Sequence, residues 1–173
     1  MDDTDSVSAA AAKRADNCGP NLLYRDLRDW LAEAGRMGAV KVVKGATWER
    51  DIGLAVEVVC HDEGTPTIVF DDVEGCAPGF RILINWFTGS RKNLTLGFPS
   101  ELGRVELSHA YHRHTSGLQP LPHEIVDHGP VLQNILEGDD IDVTKFPAPL
   151  WNPDDGGRYI GTGCFNVTRD PDT

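Results

Sequence analysis

Positive charge is scarce in this 173-residue chain: 16 lysines and arginines stand against 27 aspartates and glutamates, a net charge of -11. Such a surface repels phosphate backbones and anionic headgroups, which argues against nonspecific attachment to nucleic acid or to an anionic membrane. Cysteine is scarce too. Cys18, Cys60, Cys76 and Cys164 form no Cys-x-x-Cys pair and no dense framework, so neither a zinc ribbon nor a secreted disulfide scaffold is expected. The expectation is four reduced thiols in a cytoplasmic protein. No apolar run is long enough to span a bilayer. A signal peptide needs a basic start and a long apolar core, whereas this chain opens on Asp2, Asp3 and Asp5 before an alanine run. Residues 1–20 therefore read as a disordered tail.

What is present suffices for a folded body, because 40% of the residues are hydrophobic and the length allows one ordinary domain, or a small one plus part of another. Leu23, Leu27, Trp30, Leu31 and Ala34 recur at three and four, which predicts a helix with Asn21 as its cap and Gly35 as its stop. Residues 39–43 are branched enough for a strand. Thr47 is placed to cap a second helix with Ile52, Ala55, Val56 and Val59 inward, ending by Gly64. Residues 67–70 and 80–84 predict two more strands separated by an Asp71-Asp72 turn, so a mixed sheet with helices is the natural class. In Asn85-Trp86-Phe87-Thr88-Gly89-Ser90-Arg91-Lys92, base rates of burial put Trp86 and Phe87 in the core and Arg91 and Lys92 on the surface. The functional alternative makes Arg91 an anion contact at a helix start.

Residues 100–111 predict a further helix with Leu102, Val105 and His109 on one side, leading into His112, His114, His123 and His128. His109 and His112, three apart, can face one metal on a helix, with Glu106 and Glu124 available as acidic ligands. A solvated helix end followed by a link is the simpler reading, and no metal site is assigned. Gln119-Pro120-Leu121-Pro122 is stiff and poor in ladder donors, and so marks a domain boundary. Beyond it, residues 125–126 and 131–133 are candidate strands, with a turn at residues 137–140.

The last stretch organises the rest. Asp154, Asp155, Gly156 and Gly157 are turn formers, after which Tyr159, Gly161, Gly163, Phe165 and Val167 alternate against Ile160, Thr162, Cys164, Asn166 and Thr168 with the period of a strand. Glycines inside a strand mark a bulge, a bend, or the close approach of a backbone or ligand, and Thr162 lies between two of them. A unit of about 50 residues buries too little surface to be comfortable alone.

Four stretches in this order resemble the N-terminal part of the UbiD family of reversible decarboxylases: Asp26-Leu27-Arg28-Asp29-Trp30-Leu31, residues 65–75, residues 85–91, and Lys145-Phe146-Pro147 through Asp172. Residues 158–163 and 168–173 look most like the branch acting on aromatic and heteroaromatic acids. The resemblance implies an α+β fold. An N-terminal α/β domain with a mixed sheet (21–118) is followed by the first strands of a flavin-reductase-like split β-barrel (119–173), which is incomplete. It also implies prenylated FMN held with a divalent metal (manganese) and potassium, through ligands beyond Thr173. Within this chain it points to Thr162, Gly161 and Gly163 as cofactor-binding and to no catalytic residue, because the family's Glu-Arg-Glu network also lies beyond Thr173. The chain alone is accordingly expected to be an inactive carboxy-lyase portion. Expected partners are a small aromatic or unsaturated carboxylic acid, a complementary chain or remainder of the enzyme, and further copies in a homo-oligomer, with no nucleic acid or membrane. Two other readings stand beside it: a non-catalytic accessory subunit pairing with a full-length decarboxylase, and a metal-binding module built on His109 and His112.

Overall fold

The computed structural model describes residues 19–161. Residues 1–18 of the tail read at 1–20, and the predicted terminal strand from Thr162 onward, with Gly163, lie outside the described residues.

The first helix, α1 (Leu27–Arg36), begins where Asp26 takes an extended backbone and its carboxylate accepts the N–H groups of Arg28 and Asp29 at 2.8 and 3.0 Å. Those two donors are helix-end orphans, so Asp26 is the cap. Asn21 is not; its N–H donates to the Gly97 carbonyl at 2.6 Å. Trp30 and Ala34 form the buried stripe, and the helix passes Gly35 to end at Met37, before Gly38 takes a positive φ.

β1 (Val40–Lys44) leads to α2 (Asp51–Val59) through a turn in which Thr47 and Asp51 bond reciprocally. The Asp51 carboxylate accepts the Thr47 N–H and hydroxyl, both at 2.9 Å. The Thr47 backbone bond, then its hydroxyl, holds the Asp51 carboxyl below its ordinary value. Thr47 thus organises the helix start from one turn upstream, and the N-cap position itself falls to Arg50, which makes no side-chain cap bond. Ile52 and Val59 are buried as expected, with Ala55 and Val56 packed at the edge of the same core.

β2 (Thr67–Asp71) runs parallel to β1 and antiparallel to β3 (Ile82–Ile84), giving one mixed sheet in the order β1-β2-β3. Its first four residues are all buried because helices cover both faces. On one side α2 contributes Ile52 and Val59 against Ile68, Phe70 and Ile84. On the other, Trp30 and Ala34 of α1 meet Leu94 of α3 (Ser90–Leu96), with Val40 and Leu83 beneath. Thr67, buried in the centre, donates its hydroxyl to the Ile84 carbonyl at 2.6 Å.

α4 (Arg104–Ser116) starts four residues later than its periodicity suggests, since the Glu106 carboxylate accepts the Gly103 N–H at 2.7 Å and closes the first turn there. Leu107 and Ala110 face inward against Phe98, while Val105 is 68% exposed and His109 is also exposed. This helix carries apolar groups on several sides, and Phe98 decides which side is buried.

Beyond α4 the expected strands at 125–126 and 131–133 are not formed. Residues 118–145 are an extended arm with short 3-10 turns at Pro130–Leu132, Gly138–Asp140 and Val143–Lys145. Pro130 has no N–H for a ladder, and the Leu132 N–H closes a turn on the Gly129 carbonyl at 3.0 Å. The arm leaves Leu121, Ile125, Ile135 and Val143 exposed. The class is therefore α+β with a small mixed sheet. No strand follows Ile84 among the described residues, which includes Tyr159, Ile160 and Gly161 of the predicted terminal strand.

Candidate functional site

Residues 146–161 return to the α+β body and are fastened to it by short-range chemistry. The Leu150 N–H donates to the Trp48 carbonyl at 3.0 Å, just before α2. A turn follows, with the Asp155 carboxylate accepting the Asn152 N–H at 2.9 Å and the Asp155 N–H meeting the Asn152 carbonyl at 3.1 Å. That turn folds Tyr159 back beside Trp151, whose indole N–H donates to the Tyr159 carbonyl at 2.8 Å.

Arg158 locks the arrangement. Its Nε donates to the Ala148 carbonyl at 2.7 Å, its Nη2 to the Phe146 carbonyl at 3.1 Å, and its guanidinium lies 4.2 Å over the Trp48 ring. A planar fork of donors is needed to hold both carbonyls while stacking on an indole, which lysine cannot do. Arg158→Lys should therefore cost about 2 kcal/mol, from one lost charge-assisted bond and a weaker ring contact. The check is the urea midpoint followed by tryptophan fluorescence; an unchanged midpoint would remove the clamp from the account.

Between this segment and β3 lies a cleft of about 260 Å³, walled by Phe80, Ile82, Phe146, Pro149, Trp151 and Ile160. The Phe80 and Phe146 rings meet edge to face with centroids 5.6 Å apart. Arg81 is the charged member of the lining, exposed and with no hydrogen bond or ion pair among the described residues. Gly161 directly follows Ile160, and a Cβ added there would meet no atom within 4 Å, so its surroundings are open. Thr162 and Gly163 lie outside the described residues. The cleft is suited to apolar groups. Its lining holds no carboxylate or imidazole, and nowhere among the described residues do three His, Cys, Asp or Glu side chains gather as metal ligands. His109, His112, His114, His123 and His128 are all exposed.

The second functional candidate reverses its expected burial. Arg91 is 3% exposed, whereas Trp86 and Phe87 are each 44% exposed. The cause is a left-handed bend at Asn85 (φ 56°), held by its side-chain amide on the Thr65 hydroxyl and the Pro66 carbonyl, both at 3.1 Å. The bend turns the aromatic pair outward and brings the Asn85 carbonyl to Arg91 Nε at 3.1 Å. Arg91 Nη2 is buried without a hydrogen-bond partner, and burial lowers the pKa of the guanidinium. Asn85 was the available signal, since asparagine tolerates that backbone region better than most residues. The Phe80–Phe146 contact and the Arg158 clamp had no comparable sequence signal.

Comparison with known proteins places these features in context. Residues 124–173 match the UbiD family model, described as the 3-octaprenyl-4-hydroxybenzoate carboxy-lyase Rift-related domain. Over 159 residues, 87% of this chain, the sequence is 31% identical to a pyrrole-2-carboxylic acid decarboxylase of Pseudomonas aeruginosa, of which it covers 31%. The fold matches vanillic acid decarboxylase of Sedimentibacter hydroxybenzoicus in open and closed forms, with a TM-score of 0.70 in both cases. Identity there is 23%, and the matches cover 81% of this chain and 31% or 30% of the other. The chain spans just under a third of the length of these relatives.

Proposed function

We propose that this chain, which is similar to the N-terminal portion of UbiD-family decarboxylases, acts as the front part of such an enzyme. The reaction is reversible non-oxidative decarboxylation of an aromatic, heteroaromatic or unsaturated carboxylic acid. The observation that carries the reading is the 31% identity to pyrrole-2-carboxylic acid decarboxylase, which extends over 87% of the chain and overlaps the family match at residues 124–173.

Prenylated FMN, with manganese and potassium, is the proposed cofactor set; the flavin would supply the electron sink needed when carbon dioxide leaves an sp² carbon. The described residues do not make a site for it on their own, because the cleft beside Gly161 offers apolar walls and a single cation, without phosphate or metal ligands. No chemical step is therefore assigned to the described residues. Their role is positioning. Arg158 and Trp151 fix the path of the chain up to Ile160, and so set where Gly161 stands beside the cleft; Gly161, Thr162 and Gly163 are the proposed cofactor-binding residues. Rigid placement of pocket residues on a packed scaffold is worth several kcal/mol in catalysis. The division into a 21–118 domain and a barrel beginning at 119, the homo-oligomer and the cytoplasmic setting belong to the same proposal. No helix among the described residues is long and apolar enough to cross a membrane.

The test is native mass spectrometry of the protein purified from its source, with flavin absorbance and carbon dioxide release from pyrrole-2-carboxylate and benzoate recorded together. The expected result is a longer polypeptide, or a tightly held second chain, with bound flavin and turnover. A lone flavin-free chain of 18.9 kDa would overturn the catalytic reading and leave the accessory-subunit reading in its place.

A further inference from the structure

β3 is an edge strand. In the order β1-β2-β3 it pairs with β2 on one side only, so alternate N–H and C=O groups of residues 82–84 point away from the sheet with no ladder partner among the described residues. The apolar cleft runs along this same edge, with Phe80 and Phe146 forming a partly exposed wall and Ile160 exposed across from them. At the rim stands the uncommitted guanidinium of Arg81, in a chain whose net charge is -11. Unpaired edges are ordinarily blunted by charge, proline or a covering segment; here Arg81, Pro147 and Pro149 stand in the lining, yet the segment that starts at Phe146 leaves a gap of about 260 Å³ between itself and the edge.

Free backbone groups beside wells for alternate side chains are the layout that accepts an added strand. A small carboxylic acid would fill the cleft and pair with Arg81, yet would leave the row of backbone groups unused. The relatives are roughly three times as long as this chain, so polypeptide to fill the edge is accounted for by their length. We infer that the β3 edge and its cleft receive an extended segment from the remaining two thirds of a UbiD-family polypeptide. That segment presents alternate apolar side chains to Phe80 and Phe146 and a carboxylate to Arg81. The inference rests on the reading that this chain works with such a remainder, and it adds the place where the two meet.

The experiment is co-expression of the full 173-residue chain with the part of the Pseudomonas aeruginosa relative that lies beyond its match, followed by native mass spectrometry and amide hydrogen exchange. The expected result is a complex in which the outward amides of residues 82–84 exchange at least tenfold more slowly than in the chain alone. The amides already bonded to β2 serve as an internal reference. Arg81→Glu, an exposed change that circular dichroism can show to be folded, should weaken the complex at least tenfold. A complex in which those amides and that variant behave as in the free chain overturns the docking site and leaves the functional reading standing. Absence of any complex overturns the docking site, while the functional reading stands or falls by the mass and bound flavin of the purified protein. Equal protection of the same amides by millimolar benzoate alone would overturn the inference in favour of a small-acid site.

Discussion

Gly53→Ala should lower the stability of the chain by about 2 kcal/mol, even though alanine is the better helix former by about 1 kcal/mol. The sign is decided by one contact. A Cβ at Gly53 would lie 2.3 Å from the Trp151 carbonyl oxygen and 2.9 Å from that of Leu150, closer than real Cβ atoms come. Neither carbonyl is free to withdraw, because the Leu150 N–H is bonded to Trp48 and the Trp151 indole to the Tyr159 carbonyl. Overpacking of this kind costs about 1–3 kcal/mol or more, and the cheapest escape is to undock residues 146–151 from α2. Thermal unfolding should fall by about 4–8 °C for a chain of this size. Trp48 and Trp151 report the undocking directly, through a red-shifted fluorescence maximum before global unfolding. A midpoint that rises would mean that residues 146–151 do not rest on α2 in solution.

The second large effect is at Arg91. Arg91→Ala should cost about 3 kcal/mol, because it opens a cavity between β3 and α3 and leaves the Asn85 carbonyl without its donor. Arg91→Met should cost less, about 1 kcal/mol. It keeps the length of the side chain and removes a buried cation that has one unpartnered nitrogen, and a buried charge is often no better than an apolar group of the same shape. The comparison of the two variants in urea unfolding is the measurement. Equal losses in both would show that the charge itself stabilises the Asn85 bend, beyond the packing of the side chain.

Much of the α+β body was legible in the sequence, for reasons that these residues make concrete. Ile52, Ala55, Val56 and Val59 recur at helical spacing because one face of α2 meets the sheet, and residues 67–70 form an unbroken apolar run because helices cover both faces. Periodicity reports burial wherever burial is regular. It failed where a single backbone angle overrode composition: at Asn85 a left-handed bend exchanged the expected places of Arg91 and the Trp86-Phe87 pair. It failed again at residues 125–133, where short branched runs read as strands but Pro130 and the Gly129 turn hold the arm out of any ladder. The family resemblance agrees with all three comparisons. Gly161 follows Ile160 of the cleft but is not part of its lining, and Thr162 and Gly163 lie outside the described residues. The cleft itself was not legible, since Phe80, Phe146 and Ile160 are far apart in the chain and meet only through tertiary folding.

Residues 118–145 are tied at both ends, to α4 on one side and to the docked Phe146–Trp151 segment on the other. For a tether fixed in that way, chain length is a weak variable, because doubling a flexible loop adds only about 0.6 kcal/mol of closure entropy. In closure entropy alone, the arm can therefore lengthen or shorten at little cost. The few residues that anchor its far end, Trp48, Gly53 and Arg158, have almost no such latitude.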